Sequence, residues 1–128
     1  MKEIAIIFII LIIIIGGAIY TNKYLNNSSQ KLVGMLEDLK QKVEQNSNDT
    51  KNLKTEVDNI YNEWQNTENK WAFIVLHSEL DLIETSFVKM KAQIEEGELN
   101  RSMEEIETSI FLVNHISEKE KFCLKNIF

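Results

Sequence analysis

His77, Glu79, Asp81 and Glu84 stand close together in the stretch H-S-E-L-D-L-I-E, residues 77–84. An imidazole beside carboxylates can be held as imidazolium, pass a proton or contribute to a metal site. On a helix, Asp81 follows His77 at i+4 and Glu84 follows a heptad later, so all three side chains share a flank. With Leu76 and Ile83 at heptad position d and Leu80 and Phe87 at a, Lys70, His77, Glu84 and Lys91 recur at e. They form one polar seam beside the core. The simpler reading of His77 there is a partly buried hydrogen-bonding residue, with ligand or metal contact by His77, Asp81 and Glu84 as the alternative.

His115 is the second imidazole. With a turn centred near Gly97, His77 and His115 reach nearly the same level on antiparallel helices, within about 3 Å along the axis. Their azimuths disagree, because His115 falls at f against the Leu99–Val113 stripe, on the far face. Stricter motifs also fail. Ile74 and Leu112 stand where Glu-x-x-His would need glutamate, and Ser78 where H-E-x-x-H would. There is no Gly-rich phosphate loop and no G-x-S-x-G. The reading is therefore non-enzymatic, with no catalytic, cofactor or metal residues assigned. The single cysteine, Cys123, is read as a buried, inert thiol. Trp64 and Trp71 lie seven apart on one helix face. They are read as core with the indole N–H at a polar edge, or, if exposed, as a partner surface.

These residues need a helical frame, and the composition supplies one. The 128 residues include no proline and four glycines, which removes the strongest helix breakers. A net charge of −6 with no basic stripe argues against a nucleic-acid partner. From Ile4 to Tyr20 the chain reads I-A-I-I-F-I-I-L-I-I-I-I-G-G-A-I-Y without a charge. As a helix it is about 26 Å long, enough for a bilayer core if Lys2 and Lys23 snorkel. Without an A-x-A-like cleavage site, residues 1–22 are read as an uncleaved single-pass anchor rather than a signal peptide. The orientation expected is N-terminus cytoplasmic, with residues 23–128 outside the cell membrane.

Beyond the anchor, the polar stretch to Gln30 is a short linker or a wet helical stalk. Leu32, Leu36, Leu39 and Val43 make one helix face, and Leu53, Val57, Ile60, Trp64 and Trp71 continue in the same phase. Between them, Q-N-S-N-D-T (45–50) is either a polar layer in one long helix or a turn between two antiparallel helices; the cap formers favour the turn. Phe73, Leu76, Leu80, Ile83, Phe87, Met90 and Ile94, widened by Val75, Leu82 and Val88, predict a central helix packed on more than one side. Gly97 sits as a C′ residue in E-E-G-E-L-N. The final helix carries Leu99, Met103, Ile106, Ile110 and Val113, and S-E-K-E (117–120) reads as a capping box that starts a kink or a new short helix. The expected fold is all-α: one transmembrane helix, then an antiparallel bundle of three to four helices.

The blocks W-Q-N-T-E-N-K-W (64–71), H-S-E-L-D-L-I-E (77–84), F-L-V-N-H-I-S-E-K-E (111–120) and the terminal N-I-F, with the apolar N-terminus, resemble a family of small bacterial proteins classed only as a domain of unknown function, number 4363 in its series. The resemblance covers most of the chain beyond residue 30. Such proteins often carry proline at the position of Ser117. It implies a Gram-positive, membrane-anchored helical protein and brings no activity. The function expected is a non-enzymatic interaction or structural module of the cell envelope, acting through a protein partner or self-association. The alternative is the ligand- or metal-sensing bundle on His77, Asp81 and Glu84.

Overall fold

The computed structural model describes residues 1–45 and 49–127, and side chains as far as Lys121. Four helices follow in order: α1 (Lys2–Gln45), α2 (Thr50–Trp71), α3 (His77–Glu95) and α4 (Leu99–Ile127). Each packs on two neighbours, in the ring α1–α2–α3–α4–α1, with no close backbone approach across a diagonal among the described residues. Side-chain pairs give the direction. Lys42 meets Glu56 and Trp71 meets Ser28; Lys91 meets Asp58 while Glu84 meets Trp64; Ser86 meets Ser109 while Lys119 meets Glu79. Sequence number rises on one helix as it falls on the next, so adjacent helices are antiparallel around the whole ring. This is the up-down-up-down four-helix bundle.

The core follows the heptad stripes. Leu32, Leu36, Leu39, Val57, Ile60, Trp64, Trp71, Ile83, Phe87, Met90, Ile94, Ile106 and Val113 are fully enclosed. Each such aliphatic side chain stabilises the fold by about 1.5–3 kcal/mol on burial. Between the apolar layers lie buried serines: Ser29, Ser86, Ser102, Ser109 and Ser117. Their hydroxyls find helix carbonyls, side-chain oxygens or one another, as in Ser109 Oγ donating to Glu105 O at 2.9 Å, Ser86 Oγ donating to Glu105 Oε1 at 2.8 Å and the Ser86–Ser109 contact at 2.8 Å. A small polar residue satisfied in this way lets two helix backbones approach without leaving a buried donor unpaired.

Several expectations are corrected. Residues 22–30 are neither linker nor wet stalk; they continue α1, and Leu25 and Ser29 are buried in the bundle. Of the two readings of 45–50, the favoured one holds, since α1 and α2 are separate and antiparallel helices. Asp49 caps α2 through Oδ1 to Asn52 N at 3.3 Å, while residues 46–48 lie outside the described part. The helix expected to run through 70–84 ends at Trp71, and Ala72–Leu76 is a turn. Phe73, Leu76, Leu82 and Val88 are exposed; α3 packs on two helices, as every helix of the ring does, and is not a central element. It buries one stripe, shared between α2 and α4. The capping box at 117–120 does not operate. Ser117 is buried, its hydroxyl donates to Asn26 Oδ1 at 3.4 Å across to α1, and α4 passes through it unbroken. The Cys123 side chain lies outside the described part.

Gly97 does what its position implied. It has φ +78°, Glu98 N donates to Gln93 O at 2.8 Å, and Gly97 N to Ile94 O at 3.1 Å. That pair of bonds is a Schellman close to α3, in a left-handed conformation that favours glycine.

The first half of α1 is different in kind. Ile4, Ile6, Ile7, Phe8 and Ile9 through Ile15 are 40–66% exposed, and nothing packs on them. The same helix enters the bundle at Leu25 without interruption. An apolar rod therefore projects from one end of the bundle, here called the rod end. α1 is the one helix among the described residues long and apolar enough to cross a membrane.

Candidate functional site

Of the chemistry-bearing block of α3, Glu84 faces α2 and is the centre of the site, while Glu79 pairs with Lys119 on α4. On α2, Tyr61 and Trp64 are three apart and share a face. Tyr61 OH donates to Glu84 Oε1 at 2.5 Å and Trp64 Nε1 donates to Glu84 Oε2 at 2.6 Å. Both carboxylate oxygens are thereby engaged by neutral donors on the opposite helix. Hydrogen bonds to a charged acceptor are among the stronger ones in proteins. The Tyr61 hydroxyl is pushed up from its ordinary value, first by donating to Glu84 and then by burial. One turn toward the far end, Lys91 reaches Asp58 at 3.3 Å and lies 5.2 Å from the centre of the Tyr61 ring.

Toward the rod end the same seam is acidic. Burial raises the Glu68 carboxyl above the usual carboxylate range; Glu84 and Asp81 raise it further and His77 opposes them. His77 is the first residue of α3 and is exposed, as is Asp81. Lys70 belongs to α2, so it does not share a helical seam with His77, Glu84 and Lys91. His115 lies on the outside of α4, stacked on Phe111 with centroids 5.9 Å apart. Ser86 meets Ser109 across α3 and α4, which sets His77 about three residues, or about 4.5 Å along the axis, from the level of His115. Among the described residues no three His, Cys, Asp or Glu side chains come together to hold a metal ion. The polar seam is real, but its acceptor is Glu84 rather than its histidine.

Trp64 and Trp71 are fully buried, so their face is core. Trp64 meets Trp71 edge-on at 5.8 Å and Phe87 at 5.3 Å, the edge-to-face geometry that aromatic quadrupoles favour. Each indole N–H is answered: Trp64 by Glu84, and Trp71 by Ser28 Oγ on α1 at 2.8 Å. Ser28 in turn donates to Tyr24 O at 2.8 Å. The two tryptophans thus tie α2 to both of its neighbours. Tyr61 and Glu68 were not singled out from the sequence; Tyr61 shares a helix face with Trp64, and that spacing was the available signal.

The fold and this seam define an antiparallel four-helix bundle carried on an apolar N-terminal helix, zipped by carboxylate, indole and phenol groups. The family model for the domain of unknown function DUF4363 matches residues 19–127, and the chain belongs to that family. No curated protein and no solved structure matches the chain.

Proposed function

We propose that the chain is a single-pass membrane protein whose helical bundle is a non-enzymatic interaction or structural module of the cell envelope. Its N-terminus lies in the cytoplasm and its bundle outside. The observation that carries this reading is the continuity of α1, exposed and apolar from Ile4 to Ile15 and part of the core from Leu25 onward. Such an apolar surface is untenable in water and at home in hydrocarbon. An unbroken helix also transmits the orientation of the span to the bundle, as a structural module requires. The polar seam supports the non-enzymatic part, because Glu84 is committed to Tyr61 and Trp64. No observation favours metal or ligand sensing by His77, Asp81 and Glu84.

The test uses the full chain, with Glu96→Cys introduced over Cys123→Ser and expressed in bacterial cells. The full-length chain should resist alkaline extraction from membranes and react in intact cells with a membrane-impermeant maleimide. Labelling only after lysis would reverse the orientation, and a shortened chain in the soluble fraction would overturn the anchor. Photo-cross-linking from the bundle surface should capture a protein partner or a second copy. A monomer that captures neither would overturn the interaction reading.

A further inference from the structure

The α2–α3 turn breaks the ordinary chemistry of turns. Ala72, Phe73, Ile74, Val75 and Leu76 include none of the Gly, Pro, Asn, Asp or Ser residues that set turns and caps. Leu76 stands at the N-cap of α3, among the poorest residues for that role, and makes no side-chain cap bond. Backbone bonds alone shape the turn, such as Ile74 N to Trp71 O at 2.9 Å and Val75 N to Trp71 O at 2.8 Å. Phe73 is 91% exposed and Leu76 64% exposed. A turn facing water is normally polar, and this one is apolar throughout.

Its position offers the reason. The turn sits at the rod end, against the stretch of α1 where the apolar rod stops. Tyr20, Thr21, Tyr24, Lys70, Phe73 and Ile74 line a common cavity of about 350 Å³, and Lys70 Nζ lies 5.8 Å from the Tyr24 ring centre. Tyr20 and Thr21 directly follow Ile19, the last aliphatic residue of the rod. Lys23 and Lys70 are both exposed at this level, two cations on a chain whose net charge is −6.

We propose that the α2–α3 turn is a second membrane contact. Phe73 and Leu76 enter the boundary between lipid headgroups and acyl chains beside the exit of α1, and Lys23 and Lys70 lie among the lipid phosphates. Aromatic and aliphatic side chains flanked by lysines are the composition that this boundary accepts. Continuity with the rod favours lipid over a second copy of the chain as the occupant. The proposal rests on α1 being a bilayer span. Two points of attachment, a span and a turn, would fix both the tilt and the rotation of the bundle on the membrane.

The test is spin-label accessibility in the full chain, reconstituted into vesicles of phosphatidylcholine with phosphatidylglycerol. Single cysteines over Cys123→Ser are placed at Ile12, Phe73, Leu76 and Glu96. Oxygen, which concentrates in lipid, and a water-soluble nickel chelate serve as collision partners. Ile12 should report hydrocarbon depth and Glu96, at the far end, water. Phe73 and Leu76 should shift toward the lipid pattern, with more oxygen and less nickel collision than Glu96. An aqueous pattern at Phe73 and Leu76 with Ile12 in lipid would overturn the turn contact alone. An aqueous pattern at Ile12 would overturn the anchor and the proposal with it. Protection from both reagents, with label-to-label coupling between copies, would make the turn a self-association surface and also overturn the proposal.

Discussion

Replacing Glu84 with alanine removes the acceptor shared by Tyr61 and Trp64, and the two donors fare differently. Trp64 is fully enclosed, so its N–H, now bonded at 2.6 Å, is left in the core without a partner. An orphaned buried donor costs about 1–3 kcal/mol. Tyr61 is only half-buried and its hydroxyl can turn to water, so its loss is nearer the net worth of one bond, about 1 kcal/mol. Together Glu84→Ala should cost about 2–4 kcal/mol. Glu84→Gln keeps one carbonyl acceptor but presents an amide N–H to the other donor, and should fall between alanine and wild type. His77→Ala and Asp81→Ala remove exposed groups and should each stay within about 0.5 kcal/mol. The assay is urea unfolding of the full chain in mild detergent, followed by near-ultraviolet circular dichroism of the buried indoles. A Glu84→Ala cost within about 0.5 kcal/mol of wild type, or a larger cost for His77→Ala, would refute the assignment of Glu84 as the keystone of the seam.

Five further substitutions have expected outcomes. Gly97→Ala should destabilise by about 1–2 kcal/mol, because no atom crowds the new Cβ and the cost is the left-handed φ alone; Gly34→Ala, in open space on α1, should stabilise by about 0.5–1 kcal/mol in the same unfolding assay. Ser28→Ala should orphan the Trp71 N–H and cost about 1–3 kcal/mol, with the Trp71 near-ultraviolet band weakened. Phe87→Ala should cost about 3–5 kcal/mol by leaving a cavity beside Trp64. Glu68 is raised in the folded state, so it binds its proton more tightly there than when unfolded, and its contribution falls as pH rises from the ordinary carboxylate range through the folded value. Glu68→Gln should therefore be more stable than wild type at pH 7, with the difference vanishing near pH 4, as read from paired urea titrations.

Much of this fold was legible because apolar residues at heptad spacing must be buried together. The stripes from Leu32 to Val43 and from Leu53 to Trp71 are core as expected, and the Gly97 close is where the sequence placed it. The α2–α3 turn was hidden because it is written in apolar letters, so periodicity ran straight over Ala72–Leu76 and carried His77 into the middle of a helix. The unbroken α4 was hidden for the opposite reason. Ser102, Ser109 and Ser117 occupy core positions, and a reading that counts only apolar residues sees the stripe lapse where small hydroxyls let helices close up. Ser117 looked like a cap because S-x-x-E is a local pattern; its partner, Asn26, lies across the bundle. The polar seam was found on the right stretch, but its acceptor could be told from its neighbours only once α2 was set against α3.

The proposed anchor requires α1 to be one retained helix from the rod into the core. Nitroxides at Ala5 and Gly34, both exposed, are separated by 29 residues, or about 44 Å of unbroken helix. In lipid nanodiscs, pulsed electron resonance on the doubly labelled full chain should give a single narrow distance distribution at about that value. A broad or much shorter distribution would mean a flexible joint between rod and bundle, and loss of the Ala5 label from the chain would mean that the rod is cut away; either would contradict the account.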